Sequence, residues 1–125
     1  MLGELNGPFP FGLVLVQDQG ARKRIPSWSS ESQQVTAVDD AIVIKIQHEV
    51  DGPATVRVWD GMPANVDGVE LATVRLAVPS GRLVVVTAQL EPSIKVPVPK
   101  GSVRVVVLGS KSSDAAEIDL IVSPD

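Results

Sequence analysis

Cysteine is absent from this chain. That absence excludes disulfides, thiolate zinc sites and cysteine nucleophiles together, and it fits a cytoplasmic protein better than a small secreted one. Tyrosine is absent too, and the aromatic content is 3%: Phe9, Phe11, Trp28 and Trp59. A core must then be built from Val, Ile and Leu. Surfaces that stack bases on exposed rings are disfavoured, so no direct nucleic-acid contact is expected. His48 is the only histidine, and a histidine-built metal site needs more than one, so neither metal nor cofactor is expected. No apolar run approaches the roughly 20 residues that span a bilayer. The opening MLGELNGPFPFG lacks the basic start and apolar stretch of a signal peptide. The expectation is a soluble, cytoplasmic protein with no membrane partner.

What is present points to a folded β protein. Apolar residues make up 44% of the 125 residues, enough for one domain over 1–125 with a real core. The net charge of −4 makes a basic protein a better electrostatic match than a polyanion. Ten prolines and ten glycines punctuate short apolar runs, which is the spacing of an all-β domain.

The runs read as strands at Leu13–Asp18, Ala41–Glu49, Thr55–Trp59, Glu70–Val78, Arg82–Gln89, Ser93–Val98, Ser102–Leu108 and Glu117–Val122. Ile42, Ile44 and Ile46 share one face, with Lys45 and Gln47 opposite; Val56 and Val58 flank an outward Arg57. Asp51-Gly52-Pro53, Pro79-Ser80-Gly81 and Pro99-Lys100-Gly101 read as tight turns joining neighbouring strands into hairpins. About eight antiparallel strands with one-faced patterning predict a β-sandwich, jelly-roll-like, with a barrel as the alternative. The segment Gln19–Val38 is long and irregular, and Ser29–Val38 within it is the one helical candidate.

Two strands are apolar on both faces. Leu83, Val85 and Thr87 alternate with Val84, Val86 and Ala88; Val103, Val105 and Val107 alternate with Arg104, Val106 and Leu108. Only one face of each can line a two-layer core. Val84, Val86, Val106 and Leu108 are therefore a candidate interface, with a second copy in a two-fold homodimer as the expected cover. The N-terminal segment with Phe9 and Phe11 is the competing cover.

No catalytic motif stands out. G-x-S-x-G is absent, so a Ser–His–Asp arrangement has only composition behind it. His48 reads as a structural histidine at the core's rim. The turn carboxylates Asp39, Asp40, Asp51, Asp60, Asp67 and Glu70 read as turn chemistry; Asn65–Glu70 lacks the full calcium-loop pattern. Arg22-Lys23-Arg24 is either a clamp for an anion or a solvated loop. Trp28 either plugs one end of the fold or stands exposed. Trp59 falls out of phase with Val56 and Val58, which marks it for a contact outside the domain.

Several marks together resemble the competence protein J family, small bacterial β proteins known as inhibitors of a DNA-entry nuclease. They are Gln17-Asp18 on an early strand, a loop W-S-x-E (Trp28, Ser29, Glu31), Asp40-Ala41-Ile42 opening a strand that reaches Gln47, and a late V-P-x-G (Val98, Pro99, Gly101). The resemblance implies a non-enzymatic inhibitor or immunity-like partner of a nuclease. Its acidic surface, with Asp39, Asp40 and Glu49 as candidates, would occupy the nuclease's basic DNA-binding face. The alternatives are a small-ligand binder using the fold's mouth near His48, and a structural homo-oligomeric module.

Overall fold

The computed structural model describes residues 1–21, 33–63, 68–89 and 91–125. Within them the chain forms ten strands and two 3₁₀ turns, at Pro10–Gly12 and Glu49–Asp51, and no α-helix. The strands are β1 (Gly3–Gly7), β2 (Leu13–Asp18), β3 (Val35–Val38), β4 (Ala41–Lys45), β5 (Ala54–Trp59), β6 (Val69–Val78), β7 (Arg82–Thr87), β8 (Ser93–Pro97), β9 (Gly101–Gly109) and β10 (Glu117–Pro124). They make two five-stranded sheets, ordered β1-β5-β10-β9-β6 and β3-β4-β2-β7-β8. Every neighbouring pair is antiparallel except β5 and β10.

The facing sides of the sheets supply one core. Ile42, Ile44, Leu83 and Val85 of the second sheet join Val56, Val58, Leu76, Val105, Ile118 and Leu120 of the first. These are the inward positions that alternation predicts. Two strands escape that reading. β1 carries a single apolar residue between glycines, Leu5, which sits opposite Val56 and is buried. β3 occupies the end of the helical candidate Ser29–Val38; Val35–Val38 pairs with β4 as a strand. Residues 29–32 lie outside the described set.

The larger correction concerns the turns. Asp51-Gly52-Pro53, Pro79-Ser80-Gly81 and Pro99-Lys100-Gly101 do not close hairpins. Each lies where the chain passes from one sheet to the other: β4 to β5, β6 to β7, and β8 to β9. The fourth such crossing is β1 to β2. Two crossings lie at each end of the molecule, and the hairpins are β3–β4, β7–β8 and β9–β10. Turn residues do what their chemistry dictates in either setting. Gly81 has φ +73°, and a Cβ there would come within 2.8 Å of the Lys100 side chain, because the two corners at that end pack together. The Gly81 carbonyl also accepts from the Val98 N–H at 3.0 Å. Reversal of the chain is local; the choice of ladder partner is made by burial of whole strand faces.

The doubly apolar strands are also resolved. Val86 packs with Leu15 and Val43 on the outer face of the second sheet, flanked by Leu13, Val84 and Ala88. Val106 and Leu108 lie on the outer face of the first sheet, where Val106 stands beside Ile121, itself beside Trp59. The four candidate interface residues therefore sit on opposite faces and form no single patch. Nor do the N-terminal rings cover them: Phe9 is fully buried in the shared core, and Phe11 is 68% exposed.

Candidate functional site

The end of the molecule carrying the β1–β2 and β4–β5 crossings holds a groove of about 330 Å³. Phe11, Gly12, Leu13, Lys45, Ile46, His48, Asp51 and Asp114 line it. Three separate segments build it. The first is the turn Pro10–Gly12, which can approach β4 closely because Gly12 (φ +64°) has no side chain; a Cβ would meet the Ile46 carbonyl at 3.0 Å. The Gly12 carbonyl instead accepts from the Ile46 N–H at 2.9 Å. The second is the turn Glu49–Asp51, whose first N–H groups need partners. His48 supplies one, its Nδ1 accepting from the Val50 N–H at 3.2 Å. That leaves Nε2 to carry the proton of the neutral ring. The third is the β9–β10 connection, held by the Asp114 N–H donating to Gln34 Oε1 at 3.0 Å and the Gln47 N–H donating to the Ala115 carbonyl at 3.0 Å.

Two residues of this lining have backbones that side chains other than glycine rarely adopt: Phe11 at φ 61° and Asp114 at φ 47°. They are the non-glycine positive-φ positions among the described residues. The Phe11 ring and the 81% exposed Val50 on the adjacent turn put two apolar side chains in water at this end. Sequence reasoning placed the mouth near His48 but missed Phe11 and Asp114. The available signal was Pro10-Phe11-Gly12, an aromatic residue wedged between turn formers.

The opposite end is structurally committed. Asp18 is buried at the end of β2 and accepts from the Ser80 hydroxyl at 2.6 Å, the Ser80 N–H at 3.1 Å and the Gly20 N–H at 2.8 Å. Burial by itself pushes its carboxyl up; the Ser80 and Gly20 hydrogen bonds outweigh this and hold it below the ordinary carboxylate range. Asp39 and Asp40 form the β3–β4 turn, where the Asp39 carbonyl accepts from Ala77 N–H at 2.7 Å and the Asp40 carbonyl from Asp18 N–H at 3.1 Å. Glu49 is at the groove end instead. The full length of β4 separates it from the two aspartates, so the three do not form one acidic surface.

On the outer face of the first sheet, Trp59 is half-buried, and its indole N–H donates to Asp119 Oδ1 at 2.8 Å. Arg57 beside it pairs with Glu117 at 2.7 Å, Glu4 at 3.2 Å and Asp119 at 3.6 Å. The hydrogen bond to Glu117 leads in raising the guanidinium above its ordinary range, against burial; the Asp119 and Glu117 charges and the Glu4 bond add to it. Arg22, Lys23, Arg24, Trp28 and residues 65–67 of Asn65–Glu70 lie outside the described residues. Among the described residues no three histidine, aspartate or glutamate side chains are grouped to hold a metal ion. No described helix is long and apolar enough to cross a membrane.

The architecture defines a class: an all-β chain of two five-stranded, mostly antiparallel sheets with paired crossings at each end. Solved structures are similar to it in fold. The fold is similar to that of ComJ, inhibitor of the DNA-degrading activity of NucA from Bacillus subtilis, with a TM-score of 0.75 and 14% identity over 100% of this chain and 99% of that one. It is also similar to the product of crocagin biosynthetic gene J, with a TM-score of 0.60 and 20% identity over 97% and 96% of the two chains. No family model matches the chain, and no curated protein matches it significantly in sequence. At these identities the likeness is one of fold.

Four of the sequence marks that suggested the resemblance fall together in the structure. Asp18, Asp40, Val98 and Pro99 all lie at the end opposite the groove, and Asp18, Asp40 and Val98 make the bonds that tie its corners together. These four do not line the groove; Gln47, another of the marks, lies between its lining residues Ile46 and His48, and Trp28, Ser29 and Glu31 lie outside the described residues.

Proposed function

We propose that the protein is a non-enzymatic binding module, a cytoplasmic inhibitor whose partner is a nuclease, built on a jelly-roll-like sandwich. The observation that carries this reading is the fold likeness to ComJ over the whole of both chains. The net charge of −4 supports it, since a DNA-degrading enzyme presents a basic face to its substrate and an acidic protein is attracted to that face.

An inhibitor of this type needs no nucleophile, base or metal of its own. It acts by occupying the surface that DNA would occupy. Long-range attraction sets the rate of encounter, and a small number of seated side chains set the lifetime of the complex.

The test is DNA degradation by an extract of the organism that carries the gene, followed with and without the purified protein. Suppression of a nuclease activity, weakening as salt rises from about 50 to 500 mM, is the expected result. Degradation that continues unchanged at micromolar protein, with no nuclease retained on the immobilised protein, overturns the reading.

A further inference from the structure

The groove beside Phe11 has a size, a charge and an exposed ring that together specify an occupant. At about 330 Å³ it lies at the lower limit of small-molecule pockets, room for one long side chain rather than a cofactor. Its lining includes two carboxylates, Asp51 and Asp114, with Glu49 exposed on the adjoining turn. Among the described residues of the lining the one cation is Lys45, which has a contact of its own. Phe11 supplies an aromatic ring that the fold leaves 68% exposed at φ 61°, whereas Phe9 two residues earlier is wholly buried. The shared core takes Phe9, and the second ring stands exposed on the groove lining.

We propose that this groove receives an arginine side chain presented by the protein partner, the guanidinium stacking on Phe11 and pairing with Asp51 and Asp114. Identifying the presenting protein as a nuclease rests on the inhibitor reading; the chemistry of the groove does not. A planar, weakly hydrated guanidinium matches an aromatic face and carboxylate oxygens at once. A lysine ammonium is a compact, strongly hydrated charge that gains less from the ring and meets Lys45 as a concentrated like charge. An anionic group would face the two carboxylates. The exposed Val50 extends the surface on which the arginine's neighbours would pack.

The probe is Nα-acetyl-arginine methylamide, titrated into the full-length protein and followed by amide resonances, with the norleucine and lysine analogues as controls. Saturable shifts confined to the lining, at an affinity on the order of millimolar, are expected for arginine and absent for norleucine. Asp114→Asn, which keeps a residue at ease with positive φ, and Phe11→Gly should each weaken the arginine response about tenfold. Equal responses to arginine and norleucine, or shifts spread over the surface, overturn the proposal. In the extract assay, variants that lose the probe should also lose nuclease suppression. Full suppression by those variants overturns the partner's arginine as occupant while the inhibitor reading stands. Saturable arginine binding by a protein that suppresses no nuclease supports the groove chemistry and removes the inhibitor reading instead.

Discussion

The indole nitrogen of Trp59 on β5 donates to Oδ1 of Asp119 on β10 at 2.8 Å, and the Arg57 guanidinium stands 3.6 Å from the same oxygen. Trp59 is thus anchored by its indole N–H while its ring stays half-exposed. Its polar edge is satisfied within the first sheet, and its ring lies beside Ile121 in the parallel register that joins the two strands.

The pair should contribute measurably to stability. Asp119→Ala leaves a half-buried indole N–H without its acceptor, while Arg57 keeps Glu117 and Glu4, at about 1–3 kcal/mol. Urea unfolding of Asp119→Ala, Trp59→Phe and the double variant checks this. The two changes should be non-additive by more than about 0.5 kcal/mol; additivity would mean the bond contributes nothing.

Asp18 gives a pH-dependent prediction. Its folded-state pKa lies below the unfolded value, so the stability it contributes is present above the unfolded pKa and is lost as pH falls through the folded one. Asp18→Asn should destabilise the protein by about 1–3 kcal/mol at pH 7. The gap from the unaltered protein should narrow steadily below about pH 4. Thermal unfolding from pH 7 to pH 3 measures it; a gap that stays constant in acid would assign the effect to shape rather than charge.

Strands with regular alternation were legible because one-sided burial forces a period of two. Their partners were not. Gly52 and Gly81 announce positive φ, but the same glycine serves a hairpin or a corner between sheets, and the difference is decided by residues tens of positions away. The Gln17-Asp18, Asp40 and Val98-Pro99 marks were legible as a resemblance because corner geometry constrains sequence locally. The groove was not, since its lining comes from residues 11–13, 45–51 and 114, segments with no motif in common. A docking surface assembled from the ends of three connections leaves no periodic signal.

The two outer faces should respond differently to charge. Val86 is 3% exposed among Leu15 and Val43, so Val86→Lys must bury an ammonium or break that cluster. A loss of about 2–4 kcal/mol is expected. Val106 is only half-buried and neighbours Arg104 and Thr73, so a lysine there can extend its charge to water, at about 1 kcal/mol or less. Chemical denaturation of the two variants compares them. Equal losses would contradict the separation of the faces.

Phe11→Gly should separate stability from binding. A phenylalanine at φ 61° carries about 1–2 kcal/mol of backbone strain. Glycine relieves it but loses about 0.5–1 kcal/mol through the freedom of its unfolded chain. Little burial is forfeited, because the ring is 68% exposed. Phe11→Gly should therefore unfold at or slightly above the temperature of the unaltered protein. Phe11→Ala, which retains the strain, should fall below the glycine variant by about 0.5–1 kcal/mol. Both lack the ring, so both should weaken the arginine response to the same degree, about tenfold. Calorimetry on the two variants, set beside the arginine titration, decides it. A glycine variant that unfolds well below the unaltered protein would mean the ring supports the fold. A strained, exposed ring whose removal leaves the fold intact and empties the groove is held in place for what it contacts.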